Sequence, residues 1–229
     1  TFSGQDTSFE GATFGATRTS FKGATFGGDH TSFEGATFGD HTSFEDDHTS
    51  FEGATFGGQG TSFVHAVFGC HRTSFVSATF SGVSTSFMHA RFVGEDTSFT
   101  RATFSGGSIL FEVTRFESWG THFTWAIFDS TRTSFTWAIF GPGNTSFGGA
   151  VFGGESTSFE SATFGGDHTS FEGATFSSDS TSFEGPWAWG NVLVDWERNS
   201  YSSFGPLLPQ PTSVRPERWP PALKARMGG

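Results

Sequence analysis

The residues best equipped for chemistry are four Asp-His pairs: Asp29–His30, Asp40–His41, Asp47–His48 and Asp167–His168. Imidazole and carboxylate together bind divalent metals, and a His oriented by an Asp activates a nearby Ser hydroxyl. Both roles need the groups converged in one pocket. Each pair instead sits in a spacer between repeated motifs, where solvated side chains on an outer corner are the plainer reading. His65, His71, His89 and His122 do not all share one repeat register. The lone cysteine, Cys70, adjoins His71, but neighbouring residues of a strand point to opposite faces. No internal disulfide forms from a single Cys. No catalytic residue, cofactor or metal site is expected.

The element that positions these groups is a short repeat. T-S-F-E-G-A-T-F at residues 31–38, followed by a spacer, returns in degraded form from Thr7 to Gly185. Phe therefore recurs at steps of five and seven, as in Phe9, Phe14, Phe21 and Phe26. T-S-F and A-T-F read as short strands, with Phe and the residue two before it on one face. The Gly-containing pairs after each Phe are corners, and no helical stripe appears. A period this short means a solenoid whose coils stack only on their neighbours.

Coil size follows from packing. A 12-residue coil at ~3.3 Å per residue encloses a square only about 10 Å across. Two Phe rings with Ala and Thr do not fit one such layer. A coil of about 24 residues with four Phe is therefore expected. Counting every Phe from Phe2 to Phe183 as a side gives 31 sides, nearly eight coils. One irregularity stands out: Phe38 to Phe44 is a step of six. If Phe44 also occupies a side, long and short corners exchange places there, with a bulge or altered twist between Gly39 and Ser50.

Five-residue pieces with a large apolar centre and a small residue two positions earlier resemble the pentapeptide-repeat family. The matching centres include Phe14, Phe26, Phe38, Phe56, Phe80, Phe104, Phe164 and Phe176, each with Ala two residues earlier. The resemblance covers residues 1–185 and implies an all-β fold, a right-handed four-sided β-solenoid. Alternate sides lengthened by two residues, and Phe in place of Leu, depart from the family pattern. Residues 186–229 form a second segment. Its W-A-W-G-N-V-L-V-D-W run is expected to cap the last coil, with Trp187, Trp189 and Trp196 over the open edge. A Pro-rich, extended tail follows.

Charge divides the repeat region. The net −11 comprises −7 over residues 1–60, zero over 61–140, −6 over 141–185 and +2 over 186–229. In the neutral middle, T-W-A-I-F occurs twice and turns outward positions apolar. Trp125, Ile127, Trp137 and Ile139 are the candidate partner-binding residues, and with 24-residue coils the two copies face away from each other. Outward Thr such as Thr79 and Thr103 form files, but Val, Arg and Ile interrupt them, which argues against ice binding.

The expected function is a non-catalytic scaffold that binds a protein partner or self-associates. The family resemblance implies an alternative, since some members are acidic DNA mimics that occupy type II topoisomerases such as DNA gyrase. No basic stripe supports direct nucleic-acid binding. No apolar run reaches membrane-spanning length and no signal peptide is visible, so a cytoplasmic setting is the default.

Overall fold

The computed structural model describes residues 1–39, 47–197 and 207–224, and every regular element among them is a β-strand. Asp6–Ser8, Thr13–Phe14, Arg18–Ser20 and Thr25–Phe26 are successive strands, one per T-S-F or A-T-F piece. They open the first, second, third and fourth faces of a four-sided coil. Each strand pairs in parallel with the strand one coil on: Asp6 with His30, Thr13 with Thr37, Thr79 with Thr103. That step is 24 residues. The second and third faces are eight-stranded sheets, while the first and fourth join into one of fourteen strands. Thr103–Leu110 and Ile127–Ser134 make the join by running unbroken round the corner.

Alternation along these strands fills the interior. Phe51, Phe104 and Phe135 are fully buried, as are Ala54, Ala102 and Ala138 two residues from neighbouring Phe. Along the axis each ring stacks on its equivalent, as Phe56 does on Phe80 at 4.8 Å and 2°. The ~4.8 Å strand spacing sets that distance. Across the coil, rings of the first and third faces meet edge to face, as Phe63 and Phe75 do at 5.7 Å and 89°. Both geometries suit the ring quadrupole. At some long-corner positions the coils stack backbone on backbone and leave no room for a side chain. At Gly58, φ is +85° and a Cβ would collide with the carbonyl oxygen of Gly28.

Two expectations need correction. Thr37 pairs with Thr13 at a step of 24, but His48 pairs with Arg18 and Thr55 with Thr25 at a step of 30. The six extra residues fall between Phe38 and Asp47, so T-S-F stays over T-S-F and the corners do not exchange. The register thus passes from Phe38 on the second face directly to Phe51 on the third, one side fewer than counting Phe suggests. The bulge expected between Gly39 and Ser50 falls largely on residues 40–46, outside the described residues.

The second correction concerns the cap, which continues the solenoid. Ala188–Trp189 pairs with Thr163–Phe164, Val192–Leu193 with Thr169–Ser170, and Val214–Arg215 with Thr181–Ser182. Trp189, Trp196 and Trp219 pack edge-on against Phe164, Phe176 and Phe183 at 5.2, 5.6 and 5.6 Å. Trp187 does not join them. It lies outside against Trp137, and Trp219 takes the place expected of it.

Candidate functional site

The short corner after each T-S-F has two residues, and the second is held in the left-handed region. Its amide donates to a carbonyl of the next coil, from Trp125 to Gly148 at 3.0 Å and from Trp137 to Glu160 at 3.1 Å. Gly11, Gly23, Gly35 and Gly53 fill this position in the early coils, and Gly173 and Gly185 fill it near the end. Between them stand His65, Ser77, His89, Arg101, Val113, Trp125 and Trp137 in succession, with φ from 54° to 62°. A side chain in this conformation costs about 1–2 kcal/mol, and for a bulky or β-branched residue it is a genuine outlier.

The four sequence-predicted site residues form two patches. Trp125 stands at the corner between the third and fourth faces, with Ile127 on the fourth. Trp137 stands at the diagonally opposite corner, with Ile139 on the second face, where it pairs with Arg115. The patches differ in cover. The Trp125 indole lies over Gly149, where a Cβ would collide with it, and is 62% exposed. Trp137 is 44% exposed because the C-terminal segment folds onto it. Trp187 sits 5.8 Å from its ring, and Lys224 Nζ lies 4.0 Å over that ring while bonding Ser161 Oγ at 3.1 Å.

A third exposed indole escaped the sequence reading. Trp119 is 65% exposed at the long corner leading into the third face. It borders a cleft of about 710 Å³ lined by Arg72, Glu95, Asp96, Trp119, Gly120 and His122. Arg72, Asp96 and Gly120 are successive register partners. Asp96 Oδ1 lies 3.0 Å from His122 Nε2, and Glu95 Oε2 lies 3.1 Å from His71 Nε2. The hydrogen bond to Asp96 raises the His122 pKa above its ordinary value, with burial opposing. A Cβ at Gly120 would collide with His122 Nε2, so this glycine leaves the space that the Asp96–His122 pair spans. Reading the sequence in steps of 24 would have brought these residues together. Outside the cleft, Arg91 and Arg115 both bind Glu117, at 2.7 and 2.6 Å. Burial raises the pKa of that carboxyl, but the hydrogen bonds and charges of the two guanidinium groups bring it below its ordinary value.

The Asp-His pairs do not converge. His48 pairs with Arg18 and Arg72, His168 with Asn144, and His30 with Asp6 and Gly60. Asp40–His41 lies outside the described residues. Among the described residues, no group of three or more His, Cys, Asp or Glu is placed to hold a metal ion. His65 and His89 do share a register, and their rings stack at 4.9 Å. Cys70 is buried against Thr49, with Sγ 2.9 Å from Oγ1, while His71 reaches Glu95. No helix among the described residues is long and apolar enough to cross a membrane. No protein-family model, curated protein or solved structure matches the chain, so its own geometry carries the functional reading.

Proposed function

We propose that the protein is a non-catalytic β-solenoid scaffold that binds a protein partner, or a second copy of itself, through its middle coils. The run of left-handed corners from His65 to Trp137 carries this reading. Glycine or, at Ser161, a small side chain serves that position elsewhere, so coil geometry does not call for a large side chain there. What the large residues add is surface. An exposed Trp beside an exposed Ile is the composition of an interface hot spot, and charge in these coils sums to zero between acidic ends. Replacing Trp125 and Trp137 by Ser should leave the far-UV circular dichroism unchanged and weaken self-association in sedimentation velocity, or capture of an identified partner. A folded variant that associates and captures as the parent does refutes the reading.

A second reading rests on another file. Glu10, Glu34, Glu112, Glu160 and Glu184 occupy the residue before the left-handed position along one corner, with Val64 and Met88 between Glu34 and Glu112 and Thr136 between Glu112 and Glu160. Carboxylates in pairs toward the two ends of an acidic rod, Glu10 with Glu34 and Glu160 with Glu184, suit mimicry of a DNA backbone. Inhibition or protection of DNA gyrase in a supercoiling assay supports it, and an unaffected enzyme rules it out.

A further inference from the structure

We propose that the cleft beside Trp119 binds a neutral carbohydrate, a pyranose oligosaccharide. Volume permits it: about 710 Å³ lies within the range of small-molecule sites, about 300–1,000 Å³. Charge selects the class. Arg72 and His122 face the same space as Glu95 and Asp96, so an anion meets two carboxylates and a cation meets a guanidinium and an imidazole. A ligand that is uncharged, yet both donates and accepts hydrogen bonds, suits Arg72 and the lone pairs that the His71 and His122 contacts leave open on Glu95 and Asp96. Hydroxyl groups do so: Arg72 donates to them, and Glu95 and Asp96 accept from them.

Trp119 supplies the other half of the recognition. Its ring gives a flat apolar platform for the C–H face of a pyranose, with an indole N–H at the edge. The backbone that carries this ring is fixed before any ligand arrives. The Trp119 amide donates to Gly94 at 3.2 Å, and its carbonyl accepts from Asn144 at 2.8 Å. Gly143 passes so close that a Cβ there would collide with that carbonyl. Asp96 likewise orients His122 across the glycine floor at Gly120. With the backbone and the Asp96–His122 pair already in place, the ordering cost on binding falls mainly on the indole.

The test is calorimetric titration of the full chain with cellotetraose, maltotetraose, chitotetraose and mannotetraose, with inorganic phosphate as the charged control. At least one oligosaccharide should bind with a Kd of about 1 mM or tighter. Trp119→Ala should weaken that binding at least about tenfold with unchanged circular dichroism, because its indole lies outside the core. Trp119→Phe, which keeps a stacking face, should retain part of it. Arg72→Ala should also weaken it, whereas Trp125→Ser should not. No binding by any of the four at about 10 mM overturns the proposal. So does binding that survives Trp119→Ala, or phosphate binding in preference to the sugars.

Discussion

Replacing Phe104 by Ala tests the central physical claim, that stacked rings hold the coils together. Phe104 is fully buried and stacks on Phe80 at 4.9 Å and on Phe128 at 4.8 Å. It also meets Phe99 at 6.1 Å and Phe111 at 5.7 Å. A buried Phe→Ala change costs about 3–5 kcal/mol, and the loss grows with the cavity that remains. Collapse is hindered here because the strand ladder fixes coil spacing, so the loss should reach about 5 kcal/mol. Phe14, in the first coil, is only half-buried and has one stacked neighbour, Phe38 at 4.8 Å. Its replacement should cost about 2–3 kcal/mol, since one of two stacked interfaces was never present. Urea unfolding followed by circular dichroism gives both values. All seven Trp lie from Trp119 onward, so fluorescence reports the C-terminal half and checks that the rod unfolds as one unit. Equal losses at Phe104 and Phe14 would refute additive stacking along the axis.

Other consequences follow from single sites. Thr85 Oγ1 is buried without a partner, and Ile109 occupies the same inward file one coil on. Thr85→Val should therefore stabilise the fold by about 1 kcal/mol, and a lower urea midpoint would contradict this. Deleting residues 186–229 uncovers Phe164, Phe176 and Phe183 and the last strand edges, so light scattering should show aggregates or end-to-end oligomers; a monomer would contradict the cap. Because the folded-state pKa of His122 is raised, its pairing with Asp96 stabilises most below the ordinary value of 6.5 and fades as pH climbs through the raised one. In Asp96→Asn the NMR titration of His122 should move back toward that ordinary value, and an unmoved curve would exclude Asp96 as the cause.

How much the sequence revealed depended on whether a feature was periodic. The four faces are what the pentapeptide-repeat resemblance implies, the 24-residue coil follows from Phe spacing and the volume of a ring, and the structure has both. The passage from Phe38 to Phe51 was misread because counting Phe assigns every one a side, whereas register is fixed by backbone pairing. Trp187 was placed in the cap by its neighbours in sequence. Its actual contact, Trp137, lies fifty positions earlier and is coupled to Lys224, a relation that no local pattern contains. Trp119 was passed over because it stands in a spacer rather than in T-W-A-I-F. The cleft it borders also draws on Asp96 and Arg72, one and two coils away.

The C-terminal segment also settles how the two T-W-A-I-F copies differ. Each coil consists of two 12-residue halves, so a surface feature written into the repeat appears twice, on opposite edges. Left to the repeat alone, Trp125 and Trp137 would be equivalent. The segment removes that equivalence by seating Trp187 and the Lys224 ammonium against Trp137. Cation–π attraction at such a partly exposed site is worth about 0.5–1 kcal/mol, and the Lys224 amide bond to Pro186 adds to the hold. Trp137 is thereby the more covered of the two, 44% exposed against 62% for Trp125. The third-face side of the rod, with Trp125 at one edge and the Trp119 cleft at the other, is the more accessible one. A repeat that would otherwise present two like surfaces presents two unequal ones, and the proposed docking is accordingly placed on the Trp125 side rather than on a symmetric pair.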